Sequence, residues 1–174
     1  MAVSAGFGCM DASPFNVATS DEARRVLQTC CGSSRWVEAM LRARPFATRE
    51  AMLEQARTIW FALDERDWRE AFSHHPPIGD REALRQRFPA THHLSEREQA
   101  GVTAAPDEVL DALAEGNRRY LEKFGYIFII CASGKSAEEM LQQLHERLKN
   151  DPAIEIREAA EEQAKITELR LRAL

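Results

Sequence analysis

Between Thr48 and Leu63 the apolar side chains Met52, Leu53, Ala56, Ile59, Trp60 and Leu63 return at steps of three and four residues. That period lays them along one face of a helix and does not match the two-residue alternation of a half-buried strand. The same signature recurs through most of the chain, so its apolar stripes must be buried by packing helix on helix. Thr19-Ser20-Asp21-Glu22 has the form of a capping box, which predicts a helix over 19–31 that stops at Gly32. Trp36, Val37, Met40 and Leu41 predict a short helix over 34–43, ending ahead of Pro45. Thr48 is placed to cap the helix that carries the opening pattern. A further short helix holds Trp68 and Phe72 and breaks at a His-Pro stretch.

Beyond that break, Leu84 and Phe88 stand one turn apart in a helical stretch over 80–88 that Pro89 ends. Ser95-Glu96-Arg97-Glu98 offers another Ser-x-x-Glu helix start, and residues 101–105 read as a loop. Pro106 suits the first turn of a helix reaching to about residue 124, with Val109, Leu110, Leu113 and Tyr120 on its apolar side. Residues 126–131, Tyr-Ile-Phe-Ile-Ile-Cys, form the most apolar run of the chain. The run is short and β-branched, so periodicity alone leaves a strand or a buried helical turn open. A lone strand has no partner here, and a buried irregular or extended segment is expected. Met140, Leu141, Leu144 and Leu148 then predict a helix over 137–149. Asp151-Pro152 opens a last helix carrying Ile156, Ala159, Ala160, Gln163, Ile166, Leu169 and Leu171. The expectation is one all-α domain of about eight helices over 19–174, preceded by a loosely ordered lead-in over 1–18.

Composition narrows what such a domain does. A chain of 174 residues is long enough to bury a core of its own. Its net charge of −5 argues against a nucleic-acid partner, which calls for a basic patch or stripe. No apolar run approaches the roughly 18 residues of a membrane span. No basic segment followed by an apolar one marks a secretory signal. Cys9, Cys30, Cys31 and Cys131 show no Cys-x-x-Cys spacing, and two are adjacent. They form neither a disulfide framework nor a zinc site and suit a reducing cytoplasm.

Chemistry points first to Ser73-His74-His75-Pro76-Pro77-Ile78-Gly79-Asp80, where two imidazoles stand at a helix end followed by two prolines. A residue before proline is pushed out of the α region, so His75 is mounted on a stiff, extended corner. A metal site is disfavoured: the pairs His74/His75 and His92/His93 are adjacent, and no His-x-x-x-His or His-Glu-x-x-His spacing exists. Gly134-Lys135-Ser136 imitates the end of a phosphate-binding loop, but Ile129 stands where that loop requires glycine. A simple helix cap by Ser136 and Glu139 accounts for it. Ser95-x-x-Glu98 passes equally for a plain cap, Cys131 for a buried inert thiol, and Arg170 for a charge at the edge of an apolar face. A non-enzymatic helical interaction module explains the amphipathic helices as well, but leaves His75 and Glu98 unused.

Taken in order, His75-Pro76 with Ile78-Gly79, Ser95-x-x-Glu98-Gln99-Ala100-Gly101, Tyr120-x-x-Lys123-Phe124-Gly125-Tyr126-x-Phe128-Ile129-Ile130-Cys131-Ala132 and Glu162-x-x-Lys165-Ile166-x-x-Leu169-Arg170-Leu171 resemble one family. It is that of the 2-oxo-4-hydroxy-4-carboxy-5-ureidoimidazoline (OHCU) decarboxylases of urate breakdown, and the resemblance runs from roughly Asn16 to the C-terminus. It implies an all-α, usually dimeric enzyme that uses no metal or organic cofactor and releases CO2 from OHCU to give (S)-allantoin. The family's catalytic histidine falls on His75, with His74 an accidental neighbour, and its catalytic glutamate on Glu98. Substrate contacts are implied at Pro76, at Ser95, Glu96, Arg97 and Gln99, and at Phe128, Ile130, Cys131, Ala132, Ser133 and Gly134. The substrate-binding arginine falls on Arg170, with Arg172 the second choice. Pro77 replaces the polar or charged residue more usual after His-Pro. On this resemblance His75 is expected to be the general acid, with Glu98 holding the hydroxyl or ureido group.

Overall fold

A computed structural model describes residues 13–76 and 107–174 of the chain. Eight helices make up the described part: α1 (Ser13–Val17), α2 (Ser20–Cys30), α3 (Ser34–Ala43), α4 (Arg49–Ala62), α5 (Glu65–Ser73), α6 (Asp107–Phe124), α7 (Ala137–Arg147) and α8 (Pro152–Arg172). No strand occurs among the described residues, as the all-α expectation requires. The helices expected over 80–88 and from Ser95 lie outside them.

The expected caps are in place. Thr19 Oγ1 accepts from the Glu22 amide and the Glu22 carboxylate accepts from the Thr19 amide at 2.9 Å. Ser136 and Glu139 make the same reciprocal pair at the start of α7, and Thr48 Oγ1 accepts from Ala51 N–H at the start of α4. A further capping box at Asp64 and Asp67 starts α5. Three differences stand against the sequence reading. Residues 13–17 are helical where a loose lead-in was expected, because Asn16 exchanges hydrogen bonds with the Phe46 backbone at 2.7 and 2.9 Å and Phe15 stacks on Phe46. Helix α7 ends at Arg147. Leu169, placed on the apolar face, is 39% exposed.

Each tryptophan side chain fastens one helix to another. The indole N–H of Trp36 on α3 donates to Ala56 O on α4 at 3.0 Å, and that of Trp60 on α4 donates to Ala160 O on α8 at 2.8 Å. Trp68 on α5 donates to Trp60 O at 3.0 Å. A buried indole thus contributes its apolar area while its one polar atom is satisfied. With α2 against α3 and α8, and α6 against α7, these contacts make α8 the central helix of the described bundle.

Gly125 ends α6 with a φ of +77°, a left-handed turn that favours glycine, and its N–H closes on Leu121 O at 2.8 Å. The apolar run over 126–131 follows as buried, non-helical backbone, as expected. Side chains from three helices do for it what a neighbouring strand does in a sheet. Asn117 Oδ1 on α6 accepts from Phe128 N–H at 2.8 Å, Arg147 Nη1 on α7 donates to Ile129 O at 2.7 Å, and Glu162 Oε2 on α8 accepts from Cys131 N–H at 2.7 Å. Lys135 Nζ covers Cys131 O at 2.7 Å. The aromatic rings of Phe72, Tyr120, Phe124, Tyr126 and Phe128 pack around this segment.

Candidate functional site

Helix α5 carries Ala71 and Phe72 into the core and ends where its stripe does. His74 caps it in the αR conformation, donating its N–H to Ala71 O at 3.1 Å, and His75 N–H donates to Phe72 O at 3.1 Å. The His74 ring lies against Gly32: a Cβ at that glycine would stand 2.5 Å from His74 Cγ. His74, expected to be an accidental neighbour, thus lays its ring against the α2–α3 turn while remaining exposed. His75 turns the other way, half-buried, with Pro76 buried behind it.

His75 Nε2 lies 2.7 Å from Oε1 of Gln163, which is fully buried on α8. Gln163 Nε2 donates to Thr167 Oγ1 at 3.1 Å, and Thr167 Oγ1 donates to Cys30 O, at the end of α2, at 3.4 Å. Burial disfavours the imidazolium and the nearby Arg170 charge adds to this, with the His74 charge a smaller push in the same direction. The Gln163 bond works against them, and the His75 pKa is pulled down from its ordinary 6.5 to about 3. His75 is therefore neutral at physiological pH.

Arg170 lies two turns along the same face of α8 from Gln163. It is half-buried, and its Nη1 donates to Thr29 O at 3.2 Å. Arg172 points elsewhere, exposed and paired with Glu168 at 2.8 Å. Of the two arginines, only Arg170 acts on His75.

The 126–134 segment reaches the same turn of α8 through Glu162, the neighbour of Gln163. Lys165 Nζ donates to Glu162 Oε1 at 2.5 Å. Burial tends to raise the Glu162 pKa, but the bonds from Lys165 and Cys131 N–H outweigh it and hold the carboxylate below its usual range. Phe128, Ile130, Cys131 and Ala132 are buried, while Ser133 and Gly134 are exposed, Gly134 with a φ of +77°. The Cys131 backbone is tied within the protein, its N–H donating to Glu162 and its O accepting from Lys135. Cys131 is buried, as the inert-thiol reading expected.

The structure thus brings His75, Arg170 and the Cys131 end of the apolar segment to neighbouring positions of the C-terminal half of α8. Ser95, Glu96, Arg97, Glu98 and Gln99 lie outside the described residues. Among the described residues no three His, Cys, Asp or Glu side chains converge as a metal-binding set. The sequence reading missed Gln163 and Thr167 as neighbours of the histidine. The signal was present, since Gln163 is a polar residue at a position of the α8 apolar stripe.

Comparison with known proteins gives a consistent set of relatives. The OHCU decarboxylase family model matches residues 16–172. A uric acid degradation bifunctional protein of Arabidopsis thaliana is 45% identical over 147 residues, covering 83% of this chain and 44% of its own length. A 2-oxo-4-hydroxy-4-carboxy-5-ureidoimidazoline decarboxylase of Amia calva is 39% identical over 97 residues, covering 56% of this chain and 55% of its own length. The match therefore spans about half the length of these curated relatives. A crystal structure of OHCU decarboxylase in the presence of (S)-allantoin superposes with a TM-score of 0.72 at 38% identity, covering 90% of this chain and 97% of that one.

Proposed function

This chain belongs to the OHCU decarboxylase family, and from that premise we propose that it converts OHCU to (S)-allantoin and CO2 at a site built on His75, Glu98 and Arg170. The observation that carries the reading is a neutral, half-buried imidazole at the His75-Pro76 corner, under the influence of the Arg170 charge and held by a single side chain of α8. A neutral imidazole near an arginine suits a substrate that arrives as an anion and must both lose and regain a proton.

In this reading Arg170 receives an anionic or carbonyl oxygen and the polar surroundings turn the carboxylate out of the ring plane. The C–CO2 bond breaks, and its electron pair enters the adjoining C=N of the imidazoline ring. The ring nitrogen then takes one proton from solvent. The hydroxyl proton passes to neutral His75, which returns it to the carbon bearing the ureido group as the hydroxyl becomes a carbonyl. One proton is taken up overall, and atoms balance as allantoin plus CO2. His75 thus serves as base and then as acid on one face, a fuller role than the general acid expected from the resemblance. Glu98 orients the hydroxyl or ureido group. Backbone from Ile130 to Gly134, with Phe128, Pro76 and the Ser95–Gln99 residues, completes the pocket.

The same reading requires no metal or organic cofactor. It includes a homodimer, which sedimentation equilibrium measures, and a reducing cytoplasm, which suits Cys30, Cys31 and Cys131, buried and in no disulfide. No described helix is long and apolar enough to cross a membrane. The activity is tested by adding the protein to freshly generated OHCU and following the circular dichroism of allantoin. Formation of the S enantiomer faster than spontaneous decay supports the reading, and a rate equal to spontaneous decay refutes it.

A further inference from the structure

Gln163 is fully buried, and both ends of its amide are engaged. The direction of each bond in its chain follows from the last member. A backbone carbonyl only accepts, so the Thr167 hydroxyl proton points at Cys30 O. The hydroxyl oxygen is left to accept, and the Gln163 amide nitrogen donates to it. The amide oxygen then faces His75, and an amide oxygen also only accepts. The proton between His75 and Gln163 must therefore sit on His75 Nε2.

We propose that Gln163 is a positioning residue that locks His75 as its Nε2–H tautomer, so that Nδ1 is the nitrogen that exchanges protons with the substrate. The proposal rests on the reading that His75 handles the substrate proton, and it adds which nitrogen does so and what selects it. The two ring nitrogens of a neutral histidine are distinct, and the partner of one decides the chemistry of the other. Here the partner is an amide, which fixes the ring without offering a negative charge to stabilise an imidazolium. A proton taken by Nδ1 is consequently held weakly and readily given to carbon. Among the described residues, the other charged or titratable groups acting at this chain are Arg170 and His74 beside the imidazole, and the Cys31 thiol, which contacts Thr167 and which burial pushes up to about 12.

The experiment has a spectroscopic arm and a kinetic arm. In protein labelled with 15N-histidine, long-range proton–nitrogen correlation reports which His75 nitrogen is protonated, the signal being assigned by its loss in His75→Ala. The expected spectrum has Nε2 protonated and Nδ1 bare at neutral pH. Gln163→Leu removes the acceptor and is expected to lower kcat at least about tenfold per folded molecule, with KM changed less than about twofold. That loss lies within the roughly 10²–10⁴ that a positioned acid–base group contributes. Gln163→Glu restores the acceptor and is expected to recover most of the lost kcat, while shifting the acid limb of the rate profile upward because a carboxylate stabilises the imidazolium. A purely structural Gln163 would lower the folded fraction without this split in kcat or the rescue. A proton on Nδ1 in the wild type, or wild-type kcat in folded Gln163→Leu, overturns the proposal. A wild-type protein with the Nε2–H tautomer but no decarboxylation supports the lock and overturns the functional reading instead.

Discussion

Two buried polar clusters are anchored on α8, and they are built on opposite principles. Near its start, Glu155 accepts from Arg147 Nε at 2.8 Å, from Asn150 at 2.8 Å and from the Tyr120 hydroxyl, while Arg147 also donates to Ile129 O. Burial and then Glu155 push the Tyr120 hydroxyl far above its ordinary range, although the Arg147 charge opposes this. Burial works against the Arg147 charge, and Tyr120 with Glu155 more than offsets it. Two turns on, the chain from His75 through Gln163 and Thr167 to Cys30 carries no charge, and among the described residues it uses one nitrogen of the imidazole. The first cluster is charged and densely cross-linked, which suits holding the apolar segment in place. The second is neutral and leaves a reactive atom over. A buried polar group that satisfies itself is architecture, and one that stops short of doing so is available for chemistry.

The sharpest way to separate the two is Arg147→Met. It strands the Glu155 carboxylate and should destabilise the fold by about 3–5 kcal/mol, the usual result of removing one partner of a buried ion pair. Urea unfolding followed by tryptophan fluorescence measures that loss, while kcat per folded molecule should fall far less than in His75→Ala. Gly32→Ala tests the corner from outside. Its Cβ collides with the root of the His74 side chain, so a loss of about 1–3 kcal/mol is expected. Because His75 is the next residue, kcat should fall more steeply with stability here than in Arg147→Met.

Acidity distinguishes the clusters more gently. With a folded pKa of about 3 against an ordinary 6.5, His75 takes up a proton in the unfolded chain before it does so in the folded one. Its contribution is fully present above about pH 6.5 and is lost as pH falls toward 3. Urea midpoints should decline over that window, and His75→Asn should flatten part of the decline. The smallest effect is expected from His74→Ala, whose turnover should stay within about twofold of wild type because that ring faces Gly32 and solvent.

Much of this arrangement was legible in the sequence. Helix periodicity placed the apolar faces, and local capping chemistry placed Thr19, Thr48 and Ser136, since a cap depends only on residues three apart. The Asp64–Asp67 box departs from the Ser/Thr-x-x-Glu pattern at both ends, Asp standing at the cap and again three residues on. The extended fate of 126–131 followed from the lack of a partner strand, but its bonds to Asn117, Arg147 and Glu162 did not. Those pairings join residues 11 to 31 positions apart, and no local pattern encodes them. The same holds for His75 and Gln163, which are 88 residues apart. The histidine could be chosen by its His-Pro corner, but its neutrality depends on burial and on Arg170, which only the fold brings near.

On this reading chemistry resides at the His75 corner and stability in the Arg147–Glu155 cluster. The most direct test is the rate of (S)-allantoin formation by His75→Ala, at a concentration of folded protein matched to wild type by far-UV circular dichroism. Turnover should fall by roughly 10²–10⁴, the contribution of a positioned acid–base group, while the helical signal is unchanged. A folded His75→Ala protein that forms allantoin at the wild-type rate would place the chemistry elsewhere than His75.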